Sequence, residues 1–259
     1  MEKTKLHVIK IGGNIIDNPE ALESFLKDFA SMKGLKILVH GGGKIATQMA
    51  KNLGIETQIF NGRRVTDEKS LQIVTMVYAG WINKSIVANL QSKKCNALGL
   101  TGPDGGLVKA KKRNPIPIDF GFVGDIIEIN GKDLTQLLNL GYSPIFAPIT
   151  SDDKGQLLNT NADTLAQSLA IGLSSDFDVD LVFCFEKLGV LKDSADENSV
   201  IPMMNQASFE ALKKEGIVTE GMIPKLENAF LAISQGVKLV RLCHAKDLNN
   251  VEKGTQIIA

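Results

Sequence analysis

A strand that runs straight into three glycines and then into a helix constrains this chain more than any other stretch. Leu35, Ile37, Leu38 and Val39 supply four apolar side chains in five positions, the composition of a buried strand. After His40 come Gly41, Gly42 and Gly43, and Ile45, Met49 and Leu53 then recur at helical spacing. Such a turn aims unpaired backbone N–H groups and the positive end of a helix dipole at one spot, which suits an anion such as phosphate. One turn of this kind is equally well read as a bend using glycine for its permissive backbone. A second follows the apolar run Leu6 to Ile9, as Lys10-Ile11-Gly12-Gly13-Asn14, with a helix from about Pro19. Two glycine turns at neighbouring strand ends, one led by a lysine, predict a phosphoryl site.

Hydrophobic periodicity predicts strands at 6–10, 36–39, 97–100, 144–147, 181–185 and 238–242. Helices are predicted at 19–32, 44–53, 67–93, 132–140, 161–173, 206–215 and 224–235. This alternation implies an α/β fold of three layers, α/β/α, around a central, mainly parallel sheet, with ligands at the carboxyl ends of the strands. Residues 102–131 break the rhythm with Gly102-Pro103-Asp104-Gly105-Gly106 and Gly121-Phe122-Val123-Gly124-Asp125, which read as flanking hairpins. A helix end near Leu173, followed by Ser174-Ser175-Asp176, divides one domain (1–259) into two lobes sharing one sheet, about 1–173 and 174–259.

At 259 residues and 44% apolar, the chain can build a large core. Its 29 basic residues balance 29 acidic ones, so there is no basic field for nucleic acid and no polybasic membrane patch. No apolar run approaches a membrane span of ~18 residues, and Met1 to Lys5 do not read as a signal peptide. Cys95, Cys184 and Cys243 are odd in number and far apart, which predicts reduced thiols and a cytoplasmic protein. Neither C-x-x-C nor H-E-x-x-H occurs, so no metal ligand set is expected.

Several residues are placed for chemistry. Lys10, at a strand end before a glycine turn, can reach a phosphate as a point charge. In Arg63-Arg64-Val65-Thr66-Asp67, one arginine can clamp a carboxylate bidentately while Thr66 or Asp67 caps the next helix. Asn159-Thr160-Asn161-Ala162-Asp163 puts amide groups and one acid at a helix start. In Thr219-Glu220-Gly221-Met222-Ile223-Pro224-Lys225 a lysine sits at a helix start, where its charge opposes the dipole, which hints at a role. His7, His40 and His244 form no triad, and His40 reads as a contact to backbone. G-x-S-x-G, the P-loop and the G-x-G-x-x-G fingerprint are all missing, which disfavours hydrolase and dinucleotide chemistry.

Taken in order and spacing, these pieces resemble the amino acid kinase family over essentially the whole chain. The resemblance is carried by Lys10-Ile11-Gly12-Gly13, Val39-His40-Gly41-Gly42-Gly43, Asn61-Gly62-Arg63-Arg64-Val65-Thr66, Asn83-Lys84, Gly121-Phe122-Val123-Gly124, Asn159 to Asp163 and Gly221 to Lys225. It implies ATP-dependent phosphorylation, with Mg2+, of the γ-carboxylate of N-acetyl-L-glutamate, the second step of arginine biosynthesis. By the same resemblance Lys10 and Lys225 hold the transferring phosphoryl group and Asp163 orients them. Gly12, Gly13 and Gly43 offer backbone N–H groups, and Gly42, Gly43, Arg64 and Asn159 hold the substrate. Nucleotide contacts are implied for Gly12, Gly13, Glu186, Gly189, Val190, Leu191, Ile217, Val218 and Thr219.

The chain departs from the family pattern at Phe185-Glu186-Lys187-Leu188-Gly189-Val190, at Pro103 and at Ile149-Thr150. Other readings are another N-acyl-glutamate such as N-succinyl-glutamate, another acid of the same fold, or a metabolite-binding module without turnover. Family members inhibited by arginine resemble one another in an extra N-terminal helix that links dimers into hexamers. With five residues before Leu6, the expectation is a homodimer insensitive to arginine.

Overall fold

The computed structural model describes residues 3–60, 63–193, 195–218 and 222–259. The first half of the chain runs β1 (Lys5–Ile11), α1 (Gly13–Ile16), α2 (Pro19–Ser31), β2 (Leu35–His40), α3 (Gly43–Asn52), β3 (Ile59–Phe60), β4 (Arg63–Arg64) and α4 (Glu68–Val74). A π-helical segment (Thr75–Ile82) then joins α4 to α5 (Asn83–Ser92), followed by β5 (Ala97–Leu100), β6 (Val108–Lys112), β7 (Gly124–Ile129) and α6 (Gly131–Asn139). The rest is β8 (Ser143–Phe146), β9 (Ile149–Ser151), β10 (Leu157–Asn159), α7 (Ala162–Leu173), β11 (Asp178–Phe185), β12 (Met203–Met204), α8 (Gln206–Lys214), α9 (Ile223–Ser234), β13 (Leu239–His244) and β14 (Thr255–Ile257).

Helix starts follow local chemistry. Asn18, Asp67, Asn130, Asn161 and Asn205 each cap a helix by accepting from a backbone N–H in its first turn. Each such cap is worth about 1 kcal/mol. Of the two capping candidates in the arginine motif, Asp67 accepts from Ser70 N, and Thr66 is free to face inward.

The main sheet has the order β12-β14-β13-β11-β1-β2-β8-β5. The six strands predicted from periodicity are its contiguous parallel part, from β13 to β5. At the other end of the sheet β14 runs against its neighbour β13, and β12 lies parallel to β14. The 102–131 region does form an antiparallel pair, β6 with β7, which joins β9 and β10 in a second sheet. Those last two strands are three residues each, too short to leave a periodic signal. The predicted 67–93 helix is continuous in space but passes through the π segment, which shifts everything after it by part of a turn.

Side-chain alternation along β1 sorts the core into two layers. Leu6 and Val8 pack with α6, α7, α8 and α9 on one face, while Ile9 and Ile11 pack with α2, α3, α4 and α5 on the other. Lys10 belongs by the same alternation to the Leu6–Val8 face. That places a lysine at the carboxyl end of the central strand, directly under α7 and α9.

Candidate active site

Lys10, Asp163 and Lys225 come together there. Asp163 lies in the first turn of α7 and Lys225 in the first turn of α9. Lys10 Nζ is 2.8 Å from Asp163 Oδ1, and Lys225 Nζ donates to Asp163 Oδ2 at 2.5 Å. Burial alone would raise the Asp163 carboxyl, but the two ammonium groups outweigh it and hold the acid well below the usual carboxylate range. For Lys10, burial pushes the ammonium down, opposed by Asp163 and reinforced by Lys225. With net charge of +1, the cluster attracts an anion. It also explains Lys225, whose unfavourable place at a helix start is offset by its buried partner.

The two glycine turns lie side by side, linked by Gly41 N donating to Ile11 O at 3.3 Å. Gly13 and Gly43 each open a helix, where backbone N–H groups lack helical partners. Gly12 differs from expectation: its N–H donates to Cys184 O at 3.1 Å, so it extends the sheet and is not available to a phosphate. Gly42 has φ +149°, and a Cβ there would lie 2.3 Å from Ile82 and 3.2 Å from Tyr78. No side chain fits.

His40 anchors the triple-glycine turn from below. Its Nδ1 is 2.8 Å from Gly41 O and its Nε2 is 3.2 Å from the Asn83 amide nitrogen, which also donates to Ile145 O. A carbonyl accepts and an amide nitrogen donates, so Nδ1 carries the proton and the ring is neutral. Burial lowers its pKa to about 4. As expected, His40 is a backbone contact, and Asn83, the first residue after the π segment, completes it.

Beside the turn opens a cavity of about 590 Å³. Gly42, Gly43, Arg64 and Asn159 all line it. So do Lys44, Arg63 and Arg113, and no described residue lining it is acidic. Burial and nearby Arg113 push the Arg63 guanidinium down, opposed by Asp125, which pairs with Arg113. The cavity therefore suits an anionic molecule. Arg64 does not present a free fork: it donates to Gly43 O (2.9 Å), Thr47 Oγ1 (2.8 Å) and Thr57 Oγ1 (3.1 Å). Asn159 Nδ2 donates to Thr66 Oγ1 at 3.0 Å, tying β10 to the arginine motif.

The stretches implied for nucleotide contact are more scattered. Glu186, at the end of β11, accepts from Asn14 Nδ2 at 2.8 Å, just past the first glycine turn. Gly189 packs on Thr255 and Val200, Val190 N donates to Thr255 Oγ1, and Leu191 bridges to Val200. Ile217 and Val218 fold back on the end of α8 through Leu212 O. Thr219, with Glu220 and Gly221, lies outside the described residues, as do Asn61 and Gly62. Among the described residues no three His, Cys, Asp or Glu side chains gather as a metal site. Tyr78, Thr47, Thr57 and Arg113 are cavity or support residues that sequence reasoning missed; each is unremarkable in its own local pattern.

Comparison with known proteins gives the family. The sequence profile of the amino acid kinase family matches residues 5–244. The acetylglutamate kinase of Cytophaga hutchinsonii is 54% identical, covering 98% of this chain and 99% of that one. The acetylglutamate kinase of Parabacteroides distasonis is 49% identical, with 98% and 99% covered. Among solved structures, smu.665 of Streptococcus mutans UA159 superposes with a TM-score of 0.82 at 25% identity, covering 98% of each chain.

Proposed function

The chain belongs to the amino acid kinase family, and we propose that it transfers the γ-phosphoryl group of ATP to the γ-carboxylate of N-acetyl-L-glutamate. The observation that carries this is the Lys10–Asp163–Lys225 cluster at the end of the central strand, beside a cationic cavity and two glycine turns.

The chemistry needs little beyond position and charge. A γ-carboxylate is already ionised at neutral pH, so its attack on phosphorus requires no general base. An oxygen–phosphorus bond forms to the carboxylate as the bond to ADP breaks, giving an acyl phosphate. The obstacle is two anions brought into line, and two lysines flanking the transferring group lower it. Asp163 opposes the effect of burial on Lys10 and keeps both lysines aimed. Gly13 and Gly43 N–H groups support the phosphoryl oxygens, and Gly42, Gly43, Arg64 and Asn159 hold the substrate. Both Asp163 oxygens are already engaged by lysines, so magnesium would be held by nucleotide phosphates and water.

In this reading residues 1–173 bind the acyl amino acid and 174–259 bind ATP, with Glu186, Gly189 to Leu191 and Ile217 to Thr219 bordering the nucleotide. The product feeds arginine biosynthesis in the cytoplasm. Cys95, Cys184 and Cys243 support that compartment: all three are free thiols, although Cys184 and Cys243 lie 3.9 Å apart. We also propose a homodimer. Met76 and Trp81 support it, being 58% and 71% exposed on one helical stretch.

Coupled release of ADP with a panel of acids tests the function. Turnover should be fastest with N-acetyl-L-glutamate, ahead of N-succinyl-L-glutamate, glutamate, aspartate and carbamate. Tight binding without ADP from any of them would sink the proposal in favour of a metabolite-binding module.

A further inference from the structure

Tyr78 is buried in the middle of the π segment, yet its side chain lines the cavity. Its ring packs under Gly42, and its hydroxyl and the Arg64 guanidinium both border Gly43. The Arg64 guanidinium is the cation that acts on that hydroxyl. Arginine has no acceptor, so the phenol's own proton is directed elsewhere. Burial pushes the phenol up, against the pull of Arg64, so the hydroxyl keeps that proton.

The donor count around Arg64 shows what the proton is for. A guanidinium has five N–H groups, and three of those on Arg64 already go to Gly43 O, Thr47 Oγ1 and Thr57 Oγ1. Nη2 gives both of its N–H groups to Gly43 O and Thr47 Oγ1, so no intact fork remains and a ligand meets isolated N–H groups. A carboxylate presents two oxygens, and one N–H cannot fix its orientation. Another donor within reach is the Tyr78 hydroxyl.

We propose that Tyr78 is a substrate-binding residue whose O–H joins Arg64 in gripping the α-carboxylate of the acyl-glutamate. This rests on the reading of the cavity as the acyl-glutamate site. Arg64 is held by the start of α3 and Tyr78 by the π segment, so the carboxylate is recognised by two separately anchored groups. Selectivity for an amino acid with a free α-carboxylate then depends on both.

Calorimetric titration of the wild type and Tyr78→Phe with N-acetyl-L-glutamate, and with its α-carboxamide analogue, tests this. Loss of a hydrogen bond to a charged group should weaken acid binding about 10-fold or more. The KM for ATP should stay within about twofold, and the two proteins should bind the carboxamide alike. In an Arg64→Lys background, Tyr78→Phe should still weaken acid binding, because the hydroxyl touches the ligand itself. Equal acid affinities, or no further loss in that background, would overturn the assignment of Tyr78 alone. No binding of N-acetyl-L-glutamate by the wild type would overturn it together with the substrate reading.

Discussion

Lys225 Nζ meets Asp163 Oδ2 at 2.5 Å across 62 residues of sequence, joining the first turn of one helix to the first turn of another. With Lys10 on the other oxygen, one carboxylate holds both cations in place. Asp163→Asn should therefore do two things. It should leave two buried ammonium groups facing one another, lowering stability by about 3–5 kcal/mol, the cost of breaking a buried pair. It should also lower kcat as the lysines drift apart. Thermal denaturation and steady-state kinetics check the two parts, and an unchanged melting temperature would contradict the first.

Lys10→Ala and Lys225→Ala should each reduce kcat by about 100- to 1000-fold, the usual loss for one donor that stabilises developing charge. Substrate KM should change much less. A kcat within a few-fold of wild type for either variant would remove that lysine from the mechanism.

Arg64→Lys should raise the KM for N-acetyl-L-glutamate while the KM for ATP stays near wild type. Lysine keeps the charge but cannot serve the turn and a ligand at once. If the ATP KM moves most, Arg64 belongs to the nucleotide side.

His40 gives a pH signature. Its folded pKa, about 4, lies below its ordinary value of 6.5, so the unfolded chain binds more protons between the two. The contribution of His40 is fully present above pH 6.5 and declines as pH falls toward 4, by about 3 kcal/mol in all. Asp163, depressed from 3.8, loses its contribution only below that value, so the two windows are separate. Denaturant titrations between pH 4 and 7 should show the slope in wild type and a flatter one in His40→Gln.

What was legible in the sequence is whatever its local pattern enforces. Leu6, Val8 and Leu181, Phe183 alternate as strand residues must, and glycine marks the turns after β1 and β2. The 67–93 stretch shows the limit. A π segment changes which backbone groups pair without changing composition, so Thr75 to Ile82 read as part of one ordinary helix and nothing there marks Tyr78. Gly12 shows another. Whether a glycine N–H is available depends on the strand beside it, here Cys184, which lies 172 positions later in the chain. The pairing of Lys10 with Asp163 and Lys225 followed from resemblance to a family, since no spacing rule links residues so far apart.

That separation has a consequence for how the protein is made. Chains emerge from the ribosome amino end first, so Lys10 appears long before Asp163 and Lys225. For most of that interval Lys10 has no counter-charge, and until Asp163 arrives β1 cannot bury its lysine without a large desolvation cost. The central strand is thus discouraged from settling prematurely among a half-made set of neighbours. Phosphotransfer, in turn, becomes a property that only a chain made past Lys225 can possess, and a product terminated before it would be inert rather than partly active.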